Sequence, residues 1–177
     1  EPTRAEFTYY LSQCDRIIDT GSYPAHELDR HAVFVSHFTG SSVSVSPPKL
    51  NWRDKKPALE DGAPYAVLNP GSNEFGRRWP LQNYITLAQW MVGQGYRAVF
   101  VGKADEKAHA DLISAAADGL KILDMTGKTD LPGLLDVLKS AALVVSNDTG
   151  PMHLAIGLET PTVAIVGGGH FGSFIPY

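Results

Sequence analysis

The sequence reads as an α/β protein, a Rossmann-like doubly wound parallel sheet with a partial amino-terminal extension. Three observations lead there. From Ala63 onward, short apolar runs alternate with helix-like segments about five times. The runs are continuous rather than alternating, which implies burial on both faces and hence parallel strands covered by helices. They stop at polar or glycine-bearing loops, the first at Asn69-Pro70-Gly71.

The elements follow in order. Phe7 to Ile18 is read as a helix, with Phe7, Leu11 and Ile17/Ile18 on one side. His31 to Phe38 fits a strand or a short helix. Ser41, Ser42, Ser44, Ser46, Pro47 and Pro48 have loop or linker composition, and Asn51 to Asp61 is charged and broken by Pro57. Tyr65-Ala66-Val67-Leu68 is the first strand. Pro80 opens a helix as its first residue, where its missing N–H is not needed. The apolar face of that helix includes Tyr84, Leu87, Ala88 and Met91, and Gly93 and Gly95 end it. Ala98 to Val101 is the second strand. Asp105 to Ala117 is a helix closed by Gly119. Ile122-Leu123 is a brief third strand. Leu131 to Ala141 is a helix burying Leu134, Leu135 and Leu138. Leu143 to Val145, the helix Pro151 to Leu158, and the strand Thr162 to Val166 complete the pattern.

Composition removes other classes. The chain has 177 residues, 44% hydrophobic and 19% charged, with a formal net charge of −4. That length suits one domain, or one and part of a second. The hydrophobic share is ordinary for a folded protein. A mild acidity argues against a nucleic-acid partner. One cysteine, Cys14, makes no internal disulfide, so this is not a disulfide scaffold. No apolar run approaches the roughly 20 residues of a membrane helix, and no signal-peptide pattern opens the chain. The sequence stops shortly after its last strand, before the covering helix such a strand needs, so it reads as a piece of a longer protein.

In doubly wound sheets, ligands bind at the carboxyl ends of the strands, so the loops after the strands carry the functional reading. The first, Asn69 to Pro80, holds Gly71, Arg77 and Arg78 ahead of a helix N-terminus. Amides and arginines together suit phosphate; the plainer reading is a βα loop with solvated arginines. Trp79 is expected to pack under the helix rather than stack on a base. In the second loop, Gly102 to Glu106, spacing alone favours Asp105 as a helix cap and Glu106 beside the helix dipole. A carboxylate there is also able to accept hydrogen bonds from a ribose. Thr126-Gly127-Lys128-Thr129-Asp130 superficially suggests a phosphate loop, but Ile122 stands where the Walker pattern needs glycine.

The fourth loop, Ser146-Asn147-Asp148-Thr149-Gly150-Pro151-Met152-His153, is the most telling. Thr149 and Gly150 offer amides at a helix N-terminus, a natural pyrophosphate seat. Asp148 is placed to grip sugar hydroxyls, with His153 one turn into the helix. Equally, Asp148 or Thr149 caps the helix and His153 packs. Gly167 to Gly172 matches G-x-G-x-x-G, yet Pro176 follows instead of a helix. It is read as a substrate-facing loop. No cysteine or histidine cluster has metal-ligand spacing, and no G-x-S-x-G elbow is present.

Taken in order, these loops resemble the ADP-heptose:lipopolysaccharide heptosyltransferase family, glycosyltransferase family 9. The resemblance covers residues from about 63 to 177. It rests on Asn69-Pro70-Gly71-Ser72 with Arg77-Arg78-Trp79-Pro80, on Gly127-Lys128-Thr129-Asp130-Leu131, and above all on Asn147-Asp148-Thr149-Gly150-Pro151-Met152-His153. It implies the GT-B architecture, two Rossmann-like domains around a cleft. Residues 63–177 would be the nucleotide-sugar donor-binding domain, truncated, and residues 1–62 an interdomain segment or the end of a preceding acceptor domain. By position in the motifs, Ser72 and Arg77 would meet the diphosphate or sugar, Glu106 the ribose, and Thr129 the base. Asp148, Thr149 and Gly150 would hold the sugar and diphosphate, with His153 close by. The catalytic base is expected in the missing amino-side domain, so none is assigned here and the isolated chain is expected to be inactive.

The resemblance further implies transfer of a sugar, such as heptose, from an ADP-linked donor. The acceptor would be lipid-linked or an oligosaccharide, on a lipopolysaccharide core or related surface glycan. No resident cofactor, metal or nucleic acid is expected. The mild acidity and the lack of a membrane segment suggest the cytoplasm, and a lipid-linked acceptor would bring the full-length protein to the inner membrane surface. Two departures stand out: Arg77 replaces the family's usual lysine before the Trp-Pro pair, and Gly167 to Gly172 is unusually rich in glycine. The competing readings are a GT-B-fold nucleotide-sugar epimerase, which would release free sugar, and a nucleotide-binding module without transfer activity.

Overall fold

A computed structural model describes residues 12–21, 25–53, 59, 62–117, 119–167 and 171–176. The chain divides into two compact units, Glu1–Ser46 with His170–Tyr177, and Pro47–Gly169.

In the first unit, helix α1 spans Glu27–Thr39, so the segment read as strand or short helix lies inside a longer helix. Its ends explain the choice. His26 Nδ1 accepts from the Leu28 N–H, Glu27 and Asp29 occupy the first turn, and Gly40, at φ +71°, closes the last. No residue of α1 is buried, and Phe34 and Phe38 stack on its surface. The helix expected over Phe7–Ile18 is not continued: residues up to Leu11 lie outside the described part, and 14–18 are not helical. Residues 12–17 are exposed. The Gly167–Gly172 loop falls partly outside the described residues, and Phe171 and Ile175 form an isolated bridge.

The second unit is the predicted sheet. Strands β1 (Tyr65–Asn69), β2 (Arg97–Phe100), β3 (Ile122–Asp124), β4 (Leu143–Asn147) and β5 (Thr162–Ile165) are all parallel, in the order β3-β2-β1-β4-β5. Helices α2 (Leu81–Gly93), α3 (Lys107–Ala116), α4 (Leu131–Ser140) and α5 (Gly150–Gly157) connect them. Successive strand residues point to opposite faces, and the core divides accordingly. Val67, Val99 and Val144 pack with Leu135 and Leu138 of α4 and Ala155 of α5. Ala66, Leu68, Ala98, Phe100 and Val145 pack with Tyr84, Ile85, Ala88 and Met91 of α2 and Ile113 of α3. Each fully buried Val, Leu or Phe contributes about 1.5–3 kcal/mol, which is why both faces of these strands are apolar.

Three local expectations are corrected. Pro80 is the cap of α2 rather than its first residue, with ψ 134°, its carbonyl accepting from the Asn83 N–H at 3.0 Å. Helix α3 starts later than Asp105, which is exposed in a turn and does not cap it. Leu134 is only half-buried, at the edge of the core. Residues 47–53 also pack with the sheet. Leu50 donates its N–H to Gly157 O at 2.7 Å, and Trp52 Nε1 donates to Asp136 Oδ1 at 2.9 Å. Arg53 pairs with Asp136 and lies over the Trp52 ring.

Candidate functional site

The strand order reverses between β1 and β4: β1 leads outward through β2 to β3, and the chain then returns to place β4 on the other side. Loops leaving such a point diverge and open a crevice at the carboxyl edge. A cleft of about 600 Å³ lies there, bordered by the loops after β1, β2, β3 and β4. Of the residues predicted from sequence, Ser72, Arg77, Glu106, Thr129, Thr149 and Gly150 all line it. Asp148 and His153 do not. Asp148 is 2% exposed, and its Oδ1 lies 3.5 Å from His153 Nε2. Burial lowers the pKa of His153 and the Asp148 carboxylate opposes that shift, so the ring is harder to protonate than an ordinary histidine.

The loop after β1 is shaped by local hydrogen bonds. Ser72 Oγ accepts from the Glu74 N–H, and Ser72 O accepts from Arg78 Nε at 2.8 Å. Phe75–Arg77 form a single 3₁₀ turn, which presents Arg77 to the cleft in an ion pair with Glu74. Arg78 is thus a structural arginine, while Arg77 is the one offered to a ligand. Trp79 packs edge-on against Tyr84, ring centres 5.0 Å apart, in the packing role expected of it.

Across the cleft, Thr149 occupies the cap position of α5 with φ −152°, and its side chain makes no cap bond. Within the first turn Pro151 has no N–H and the Met152 N–H donates to Thr149 O at 3.0 Å, so the Gly150 amide is the one presented toward a ligand, where the helix dipole favours an anion. Pro151 sits within that turn, where it sacrifices no helical hydrogen bond.

Glu106 does not cap α3 through its side chain. Its Oε2 instead accepts from the Lys103 N–H at 3.0 Å. The carboxylate lies over two bare glycine backbones: a Cβ at Gly71 or at Gly102 would collide with it. Close approach to backbone is therefore the reason for glycine at both positions. Lys103 Nζ reaches back across the loops to Asn73 Oδ1 at 2.7 Å. At the far end, Asp130 caps α4 through Gly133 N–H, beside Thr129, Leu131 and Leu134. Among the described residues, no group of three or more His, Cys, Asp or Glu is placed to hold a metal.

Beneath these loops lies a buried polar layer not expected from the sequence, made of Asn69, Ser146 and Asn147. Asn69 and Ser146 are register partners at the carboxyl ends of β1 and β4. The available signal was a polar residue closing each of two adjacent apolar strands, directly before Pro70-Gly71 and Asp148-Thr149-Gly150.

The arrangement is an anion seat on one side, a carboxylate on the other, and a half-apolar end between α3 and α4. The family model described as glycosyltransferase family 9 (heptosyltransferase) matches residues 9–177. The chain belongs to this family. It is 34% identical over 119 residues to lipooligosaccharide heptosyltransferase 2 of Haemophilus influenzae, covering 64% of this chain and 34% of that protein. It is 31% identical over 181 residues to lipopolysaccharide heptosyltransferase 2 of Salmonella typhimurium, covering 93% of this chain and 52% of that protein. The solved structure of Escherichia coli ADP-heptose lps heptosyltransferase II is similar with a TM-score of 0.54 at 27% identity, over 58% of this chain and 32% of that one. The matches thus span about half or less of those relatives' length.

Proposed function

We propose that this family 9 chain is the donor-binding part of a glycosyltransferase that moves a sugar from a nucleoside diphosphate to a hydroxyl of a glycan acceptor. The observation that carries the reading is the meeting of Arg77 and the α5 N-terminus on one cleft, with Glu106 opposite. The diphosphate would lie between Ser72, Arg77 and the amides at Thr149 and Gly150. Glu106 would accept hydrogen bonds from the ribose hydroxyls, and the base would lie toward Thr129. Transfer forms a bond from the acceptor oxygen to the anomeric carbon as the bond to the diphosphate oxygen breaks. The leaving diphosphate gains negative charge, and donors already fixed around it stabilise that charge without reorganising. No base for the acceptor proton is assigned within this chain.

ADP-heptose is the proposed donor and a lipopolysaccharide core or related surface glycan the proposed acceptor. The names of the relatives support both. Asp148 and His153, paired outside the cleft, would support the sugar end from beneath rather than touch the sugar. Among the described residues no helix is long and apolar enough to cross a membrane. The proposed location is the cytoplasm, with the acceptor met at the inner membrane surface.

Calorimetric titration with ADP, UDP and GDP tests the reading. Binding of ADP in preference to the others is expected, with a matching rise in thermal stability. Preference for UDP or GDP would replace the adenine assignment. No binding of any of the three would remove the donor-site reading.

A further inference from the structure

We propose that Asn147 is the positioning residue of this site: it sets the spacing between the two loops assigned to the diphosphate. The inference rests on the donor-site reading for what the loops bind, and on geometry alone for how they are held.

Asn147 is the last residue of β4 and is completely buried. Its Oδ1 accepts from the Trp79 N–H at 3.1 Å and from the Tyr84 hydroxyl at 3.0 Å, and its Nδ2 donates to Pro70 O at 2.7 Å. One side chain therefore ties both ends of the loop after β1. Its own backbone carbonyl holds the other loop, accepting from Ser146 Oγ at 2.8 Å and from Thr149 Oγ1 at 3.3 Å. Asn69 completes the link, with Nδ2 donating to Ser146 Oγ and Thr149 Oγ1, each at 2.9 Å.

The chemistry explains asparagine. A backbone N–H needs an acceptor and a backbone C=O needs a donor, a short distance apart, inside the protein. A primary amide offers both on one planar group. Aspartate lacks the donor, serine lacks the reach, and leucine would take this partner from the Trp79 N–H and from two buried groups, the Tyr84 hydroxyl and the Pro70 carbonyl. Asn147 does not line the cleft. It acts through the loops that carry Ser72 and Arg77 on one side and Thr149 and Gly150 on the other.

The test compares Asn147→Ala with Met91→Ala. Met91 is buried under the sheet near the opposite end of α2 and destabilises without touching the loops. Two readouts are taken on each, ADP affinity by calorimetry and amide hydrogen exchange. Asn147→Ala is expected to weaken ADP at least tenfold and to speed exchange at Trp79 and across 147–151 at least tenfold. Met91→Ala is expected to leave ADP affinity within twofold and those amides unchanged at a comparable denaturation midpoint. Equal effects of the two variants on the loops would overturn the proposal. If Asn147→Ala does not fold, Asn147→Asp keeps the acceptor for Trp79 and Tyr84, deletes the donor to Pro70, and is read the same way. If the unaltered protein binds none of ADP, UDP and GDP, the donor reading falls and the exchange data alone decide the positioning role.

Discussion

The loops after β1 and β4 and the loops after β2 and β3 face one cleft but are held by different means. The first pair is stitched together below the surface by Asn69, Ser146 and Asn147, all of them buried. The second pair is held near the surface, by Glu106 on the Lys103 N–H, Lys103 on Asn73, and Asp130 on the first turn of α4. Buried hydrogen bonds resist rearrangement because an unmade partner inside the protein costs about 1–3 kcal/mol, whereas exposed groups exchange partners with water. The stiff pair carries the groups proposed for the diphosphate, where charge develops and fixed donors matter most. The adaptable pair carries those proposed for the nucleoside.

That contrast makes mutations separable. The largest effect is expected from Arg77→Ala, which removes the arginine that the stiff side presents to the cleft. Loss of a charged hydrogen bond of about 2 kcal/mol weakens ADP binding roughly thirtyfold. Unchanged affinity by calorimetry would take Arg77 out of the site. Next, Thr149→Val deletes the hydroxyl that links Asn69 to the Asn147 carbonyl. It should lower stability by about 1–2 kcal/mol in urea denaturation and weaken ADP together with it. Gly71→Ala should separate the two properties. The added Cβ meets only the flexible end of Glu106, so the melting temperature should stay within about 2 °C while ADP affinity falls about tenfold. A variant that melts much lower would show that Gly71 serves the backbone rather than the carboxylate.

The smallest effect concerns pH. Folding makes His153 harder to protonate, so the unfolded chain binds that proton more readily. The contribution favours the folded state at neutral pH and declines as pH falls below about 6.5, the ordinary histidine value. Stability measured in urea should therefore fall less on acidification in His153→Gln than in the parent. A steeper fall in the variant would mean that the pairing with Asp148 outweighs burial.

Much of this site is legible in the sequence. Ser72, Arg77, Glu106, Thr129, Thr149 and Gly150 border one cleft, because loops of a parallel sheet open a crevice wherever the strand order reverses. Two kinds of statement were not legible. The local cause that turns Arg77 rather than Arg78 to the cleft is a 3₁₀ turn together with the bond from Arg78 to Ser72 O. Nor was the place of the Glu106 carboxylate legible: it accepts from the Lys103 N–H and lies against Gly71, a residue 35 positions earlier brought near by the pairing of β1 with β2.

The division follows from the range of the forces. Strand and helix identity, their alternation and the parallel sheet arise from apolar periodicity and from breakers such as Pro70, Pro80 and Gly95, all of which act within a few residues. The fate of a polar side chain is settled at long range. Asn147 reads as an ordinary strand terminus until Pro70, Trp79 and Tyr84 fold around it. Only then do a backbone N–H, a phenol and a carbonyl find their partners on one buried amide.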